Sequence, residues 1–157
     1  MRFITLVIAL VVASAIFSMS ATASVYELKP INRNNEQALI AVNKTTLVML
    51  FQPECSWCKK QSKLVNGILS ECQGVIHFSM VGTNGSKRKL KQELAYYDSA
   101  IPVFYATRAF LRKIGGFQAS PTTLVFDEGG KLRAKKRGFI NRESLQKAVG
   151  ILSHGGC

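Results

Sequence analysis

Two cysteines separated by two residues, Cys55 and Cys58, have the spacing in this sequence that most directly predicts chemistry. At the start of a helix, such a pair can close and reopen a disulfide with little movement of the backbone. Unpaired N–H groups and the helix dipole stabilise a thiolate there, so we expect the pKa of Cys55 to lie well below the ~8.5 of a free cysteine. Cys55 is then the nucleophile. Cys58, one turn further along, attacks a mixed disulfide at Cys55 and releases the partner.

The CxxC spacing has three other uses in proteins: a haem site, a zinc site and a structural disulfide. A c-type haem site needs a histidine directly after the second cysteine, where this chain has Lys59. A structural disulfide at this spacing would be easily reduced, which argues against a stabilising purpose. A zinc site needs two more ligands, and the candidates form no second close pair: Cys72, His77, His154 and Cys157. We therefore favour a redox pair that needs no metal and no organic cofactor, and keep the structural disulfide and zinc as alternatives.

The pair lies between a predicted strand and a predicted helix. Leu47 to Phe51 is an unbroken apolar run of strand length, which is typical of a central strand covered on both faces. From Ser56 onward, apolar side chains recur at spacings of three and four residues, which predicts an amphipathic helix with one buried stripe. The stripe consists of Trp57, Leu64, Val65, Ile68, Leu69 and Cys72.

The rest of the chain predicts alternating helices and strands, then a hairpin and a last helix. The hairpin follows from two β-rich runs joined by the turn residues Asp127 to Gly130. In chain order we predict a short helix begun by Asn34 or Asn35, a strand over Val75 to Val81, helices over Lys87 to Tyr97 and Ala106 to Ile114, the hairpin strands Thr122 to Phe126 and Leu132 to Arg137, and a helix after Asn141.

These segments together resemble the thioredoxin superfamily over about residues 33 to 153. The resemblance rests on the strand that enters Cys55-Ser56-Trp57-Cys58, on Ser120-Pro121-Thr122 opening the hairpin, and on Gly138 before the last helix. It implies an α/β fold with a central mixed β-sheet flanked by helices and a helical insertion at about residues 83 to 105. It also implies a cis bond before Pro121 that faces the cysteines, and a substrate-binding surface formed by Trp57, Ser120 and Pro121.

Within the superfamily, the sequence is similar to periplasmic proteins of the TrbB, DsbC and TlpA or ResA types. Trp57, before the second cysteine, is a feature of the first two types, whereas the insertion from Thr83 to Tyr105 is similar to that of the tethered reductants. Met49 stands where cytosolic thioredoxins carry a buried aspartate for proton transfer. The resemblance implies an enzyme that acts on protein thiols and disulfides and has a redox partner protein, with isomerase or oxidase favoured over reductase.

The N-terminal residues predict export from the cytoplasm. Arg2 is followed by an apolar run from Phe3 to Phe17 and then by small residues that end at Ala23, as in a secretory signal peptide. We predict a signal over residues 1–23 and one thioredoxin-like domain over residues 24–157, in the periplasm and monomeric. The alternative is an uncleaved anchor, which would associate the domain with the inner membrane, because the run approaches the roughly 20 residues that span a bilayer.

The chain is strongly basic, with a formal net charge of +12. Such a surface favours acidic partners or anionic lipid head groups, and its simplest use is to keep a protein soluble. No nucleic-acid-binding motif accompanies the charge, so we expect no nucleic acid among the partners. The basic cluster from Lys87 to Lys91 supports one alternative function, a thioredoxin-like binding module in an envelope or conjugation assembly whose cysteines are idle.

The other two cysteines, Cys72 and Cys157, lie far apart in the sequence. A buried free thiol is one interpretation of Cys72, since it falls on the apolar stripe. The fold implied by the resemblance places the ends of the two helices near these cysteines next to each other. Outside the cytoplasm disulfides persist, so we predict a structural disulfide between Cys72 and Cys157.

Overall fold

The computed structural model describes residues 26–32, 38–72 and 74–153, so the predicted signal over residues 1–23, His154 and Cys157 lie outside the described residues. None of the helices in these three ranges is long and apolar enough to cross a membrane. The elements in chain order are β1 (Thr45–Phe51), α1 (Ser56–Glu71), β2 (Ile76–Gly82), α2 (Lys87–Glu93), a 3-10 turn (Leu94–Tyr96), β3 (Val103–Tyr105), α3 (Arg108–Lys113), β4 (Thr122–Phe126), β5 (Leu132–Arg137) and α4 (Arg142–Leu152).

The five strands form one mixed sheet in the order β3-β2-β1-β4-β5. β1 and β3 both run parallel to β2, whereas β4 runs antiparallel to β1 and to β5. All seven residues of β1 are buried, as expected for an unbroken apolar run in the middle of a covered sheet. The predicted α/β fold with a central mixed sheet is therefore confirmed.

Two apolar layers cover the sheet, because successive side chains of a strand point to opposite faces. Met49 and Phe51 belong to the layer that includes Val65 of α1 and Val149 of α4. The intervening Leu50 belongs to the other layer, where α3 and the inner residues of β4 pack: Phe110, Ile114, Leu124 and Phe126. The helix that carries Cys58 is thus fixed on one face of the sheet, at the end where β1 stops.

The insertion between β2 and the hairpin contains a strand that the sequence patterns did not predict. Val103–Tyr105 forms β3 and pairs with the last residues of β2, from Met80 to Gly82. A run of three residues is too short to show the alternation that identifies a strand in a sequence. The helical part of the predicted insertion at residues 83–105 is present as α2 and the 3-10 turn.

Two sequence predictions for helices are wrong in detail. Residues 38–44 of the predicted short helix form no helix; Val42 is exposed and Asn43 has a left-handed φ of 57°. The other half of that helix, residues 33–37, lies outside the described residues. On α1, Trp57 does not join the buried stripe but is 52% exposed; its neighbour Cys58 faces the core, and the polar Gln61 and Ser62 are buried as well.

Candidate active site

Cys55 and Cys58 are joined by a disulfide at the N-terminus of α1. Cys55 is the N-cap: its backbone is extended, and its Sγ accepts a hydrogen bond from the backbone N–H of Cys58 at 3.1 Å. A cap side chain of this kind satisfies an N–H group that the helix itself leaves without a partner. The same N–H would stabilise a negative charge on Cys55 once the disulfide is reduced.

Cys55 and Cys58 differ in their accessibility to another molecule. Cys55 keeps 9% of its surface exposed, whereas Cys58 is 0% exposed. Thiol–disulfide exchange requires direct contact between the attacking and the attacked sulfur. A second protein can therefore make that contact at Cys55 and not at Cys58.

Ser120 and Pro121, which the resemblance implied as substrate-binding residues, lie beside the disulfide. The Ser120–Pro121 bond is cis, as expected, and the Ser120 Oγ is 3.2 Å from the Sγ of Cys58. This segment directly precedes β4, whose pairing with β1 fixes its position next to the CxxC turn. The structure thus brings together Cys55, Cys58, Ser120 and Pro121, although 62 residues separate Cys58 from Ser120.

An aromatic pair forms a further wall of the site. The Trp57 ring contacts that of Phe139, with centroids 5.3 Å apart, and the Nζ of Lys60 lies 4.5 Å from the centre of the Trp57 ring. Phe139 is held in place because the N–H of Ile140 donates to the Oε1 of buried Gln61 at 2.7 Å. Sequence reasoning predicted Trp57 but missed Phe139, which lies in a loop without a periodic pattern.

A buried carboxylate also reaches the CxxC turn, and sequence reasoning missed it as well. Glu93, at the end of α2, is 7% exposed, and its Oε1 accepts from the N–H of Glu54 at 3.0 Å. Glu54 has a left-handed φ of 64°, so this hydrogen bond supports an uncommon backbone conformation. A signal was available, since Glu93 falls on the same helical face as the apolar Leu90 and Leu94.

The contacts around Glu93 explain why a carboxylate is tolerated there. The Nζ of Lys59 lies 3.5 Å from the Oε2 of Glu93 and 3.3 Å from the centre of the Tyr96 ring. Burial, followed by the negative charge of Glu93, raises the pKa of Tyr97 well above its ordinary value. Met49 is fully buried in β1, so the carboxylate near this site comes from the insertion and not from the strand.

The remaining predicted residues give a partial result. Cys72 is buried at the end of α1, but Cys157 lies outside the described residues, so the Cys72–Cys157 disulfide stays a prediction. Proteolysis of the oxidised protein followed by mass spectrometry would test it. In residues 26–32, 38–72 and 74–153, no three side chains of histidine, cysteine, aspartate or glutamate come close enough together to hold a metal ion.

No protein-family model and no curated protein matches this sequence. Several solved structures match its fold. DsbF of MTB has a TM-score of 0.68 at 15% identity, over 82% of this chain and 95% of that chain. An exposed lipoprotein thioredoxin of Streptococcus pneumoniae has a TM-score of 0.67 at 20% identity, over 81% of this chain and 98% of that chain.

A thiol-disulfide isomerase of Corynebacterium glutamicum is similar to the same extent, with a TM-score of 0.66 at 16% identity over 83% of this chain and 96% of that chain. The three likenesses extend over nearly the full length of each known structure, so they concern the whole domain and not one motif. Together with the mixed five-stranded sheet and the CxxC disulfide at the start of α1, they show that this chain has the fold of the thioredoxin superfamily.

Proposed function

We propose that this protein is a thiol-disulfide oxidoreductase that acts on other proteins, here called clients, through Cys55. The observation that carries the proposal is the Cys55–Cys58 disulfide at the N-terminus of α1, in which Cys55 alone has exposed surface. Three features support it: the N–H of Cys58 that points at the Cys55 Sγ, the hydroxyl of Ser120 beside Cys58, and the exposed Trp57.

The exchange proceeds in two steps, each of which breaks one disulfide bond and forms another. In the reductive direction, the Cys55 thiolate attacks one sulfur of a client disulfide; a Cys55–client bond forms, and the other client sulfur leaves as a thiolate that takes up a proton. The Cys58 thiolate then attacks the Sγ of Cys55, forms the Cys55–Cys58 disulfide and releases the second client thiol. Two electrons pass to the client, and the reverse sequence oxidises a client dithiol.

We further propose that the protein works as a monomer in the periplasm, with a second thiol protein as its redox partner, and that it oxidises or isomerises disulfides. Trp57 before the second cysteine supports that direction. Among the proteins of similar fold, one is described as a secreted disulfide oxidoreductase of Mycobacterium tuberculosis and another as a thiol-disulfide isomerase. A measured reduction potential of the Cys55/Cys58 pair tests the direction, because strong oxidants and strong reductants differ by more than about 100 mV.

Two matched variants test the roles of the cysteines. Cys55→Ser should abolish both the reduction of insulin and the recovery of scrambled ribonuclease, because the attacking sulfur is gone. Cys58→Ser should leave the first step intact and accumulate a covalent Cys55–client adduct, visible on a non-reducing gel. Each variant is the other's control, since both remove the disulfide and replace one sulfur by oxygen. Turnover of the Cys55→Ser variant at the rate of the unaltered protein would overturn the proposal.

The basic residues of α2 favour a second candidate, a binding module whose cysteines are idle. The two candidates differ in the insulin assay, because a module that only binds would fail to reduce insulin even with both cysteines reduced. Such a module would also keep its partner after the substitution Cys55→Ser.

A further inference from the structure

Most of the positive charges on helix α2 do not stabilise the helix itself. Four of its seven residues are basic, Lys87, Arg88, Lys89 and Lys91, and all four are exposed. Its first turn contains no acidic residue, although the N-terminus of a helix favours negative side chains. Lys91 is three residues from Arg88 and four residues from Lys87, so these like charges are neighbours on the helix surface and destabilise the helix. Only Lys91, in the last turn, suits the helix dipole, so the other basic residues do not stabilise the helix itself.

Three of these charges have no acidic partner within the described residues. Lys89 lies 3.8 Å from a carboxylate oxygen of Glu54, but no carboxylate lies within 4.0 Å of Lys87, Arg88 or Lys91. The Nζ of Lys87 lies 5.8 Å from the centre of the Tyr105 ring, close to the upper limit of about 6 Å for a cation–π contact. Four basic residues elsewhere in the described part are paired or stacked: Lys59 with Glu93 and Tyr96, Lys60 with Trp57, Arg133 with Asp127, and Arg142 with Glu71. Others, such as Lys44, Lys131 and Lys147, also lack a carboxylate within 4.0 Å in that part of the chain, so α2 is distinguished by having three such residues within five positions of one helix.

Close contacts hold α2 against the CxxC turn. A Cβ on Gly85, just before the helix, would lie 2.6 Å from the Cγ of Pro53, so the two loops pack with no space for a side chain. At the other end of α2, the carboxylate of Glu93 accepts from the N–H of Glu54, the residue before Cys55. The helix that carries the unpaired charges is therefore fixed against the turn that leads into Cys55.

Building on the proposed function, we propose that Lys87, Arg88 and Lys91, here called the basic platform, bind an acidic segment of the client next to its reactive cysteine. Carboxylates on the client would supply the partners that the platform lacks within the described residues. The attraction would raise the rate at which client and Cys55 meet, as complementary charge does at other protein surfaces. Binding at the platform would select clients by their sequence around the cysteine, which the disulfide chemistry alone cannot do.

The structure favours a protein segment over a lipid surface as the occupant. The platform lies on a helix that packs against the CxxC turn, and the exposed ring of Tyr96, which follows that helix, stacks with Lys59 of α1, a surface of charge and aromatic rings that suits a peptide. A membrane surface would need a large basic face free of carboxylates, whereas Glu54 is exposed next to Lys89.

The test uses three peptides with one internal disulfide and the same length, flanked by Asp and Glu, by Asn and Gln, or by Lys and Arg. The reduced protein is mixed with each peptide, and the second-order rate constant for reduction of the peptide disulfide is measured. We expect about a tenfold preference for the acidic over the basic flanks at an ionic strength of about 0.01 M. The preference should disappear at about 1 M salt, where charges are screened beyond about 3 Å.

The variant K87Q/R88Q/K91Q should lose most of this preference, while its rate with the Asn/Gln peptide stays within about twofold, since no charge acts there. The matched control is K44Q/K131Q/K147Q, which removes the same charge at exposed lysines away from α2 and should keep the preference. Equal rates for all flanks, or a preference that the first variant retains, would overturn the proposal.

Two other results have separate meanings. Failure of the unaltered protein to reduce any of the three peptides would count against the proposed function itself, and the inference would fall with it. Capture of the protein by vesicles of anionic phospholipid, lost in K87Q/R88Q/K91Q and combined with no preference among the peptides, would assign the platform to a membrane and overturn the inference while leaving the disulfide chemistry intact.

Discussion

At the scale of single residues, the chemistry depends on the groups that face the two sulfurs. The N–H of Cys58 points at Cys55, and the hydroxyl of Ser120 faces Cys58. Both groups can hydrogen-bond a thiol or thiolate more strongly than a disulfide sulfur, which is only a weak acceptor. Each therefore favours the reduced state relative to the oxidised one.

Ser120→Ala should make the Cys55–Cys58 disulfide harder to reduce. Loss of a hydrogen bond to the reduced sulfur removes about 1 kcal/mol from the stability of the dithiol, which corresponds to a potential about 20 mV more negative. Equilibration with glutathione measures this shift, and Ser70→Ala, an exposed position on α1, is the control. An unchanged or less negative potential would show that the hydroxyl does not act on Cys58.

Glu93→Ala should destabilise the oxidised protein, because the N–H of Glu54 loses its hydrogen-bond acceptor and the ammonium group of Lys59 loses its ion-pair partner. Hydrogen bonds to charged groups contribute about 1.5–3 kcal/mol, and urea unfolding would reveal a loss of that order. Glu93→Gln keeps an acceptor oxygen and should cost less. Equal stability of the alanine variant and the unaltered protein would contradict the role given to this carboxylate.

Sequence reasoning identified the residues whose chemical type indicates a function. It missed the residues that matter only because of where the fold places them. Cys55 and Cys58 are evident from their spacing, and Ser120 and Pro121 follow from the resemblance to the thioredoxin superfamily. Glu93 and Phe139 are ordinary residues in sequence terms. The apolar face of α2 indicates that Glu93 is buried, but no local pattern shows that Glu93 and Phe139 reach this site, because α2 and the loop before α4 arrive there through long-range packing.

At the scale of elements, the fit between α2 and the CxxC turn depends on the absence of a side chain at Gly85. Gly85→Ala would place a Cβ 2.6 Å from the Cγ of Pro53, whose ring cannot turn away. We expect a loss of about 1–3 kcal/mol in unfolding free energy, as for other overpacked sites.

Gly150→Ala on α4 is the matched control, since nothing lies within 4 Å of the added Cβ. It should raise stability by about 0.5–1 kcal/mol, because alanine favours the helix. Thermal or urea unfolding of both variants checks the pair, and a neutral Gly85→Ala would mean that the two loops are not in tight contact.

The sequence predicted elements well where the local pattern was complete. The two predicted hairpin strands coincide with β4 and β5, because turn residues separate two runs of strand-forming residues. The wrongly predicted helix near Val42 and the missed strand β3 share a cause. The backbone conformation of both segments depends on contacts with distant parts of the chain. β3 depends on its ladder with β2, and the backbone of Lys29 and Ile31 pairs with β3 from the other side.

At the scale of the whole molecule, stability should fall in mild acid through His77. Burial, the larger cause, and the nearby charge of Lys44 lower the pKa of this imidazole, whose Nε2 is 2.9 Å from the carbonyl oxygen of Ala38. The unfolded chain therefore takes up a proton at about pH 6.5, before the folded chain does. Stability is greatest above that pH and is lost as the pH falls toward the lower folded-state value.

His77→Gln keeps a hydrogen-bond donor but cannot titrate, so its Tm should fall less between about pH 7.5 and about pH 5. The difference between the two proteins isolates His77 from the carboxylates, which titrate in both. Parallel curves of Tm against pH for the two proteins would contradict this prediction, because they would mean that the pKa of His77 is the same in the folded and unfolded chains.

Trp57 has one more consequence, for how this protein can be observed. It is the only tryptophan in the chain, it precedes Cys58 directly, and its ring is half open to solvent. Because Trp57 lies between the two cysteines in the chain, we expect opening of the disulfide to change the emission of its ring. Stopped-flow fluorimetry could then follow the opening and closing of the Cys55–Cys58 disulfide in the unlabelled protein in real time, with any client that itself lacks tryptophan.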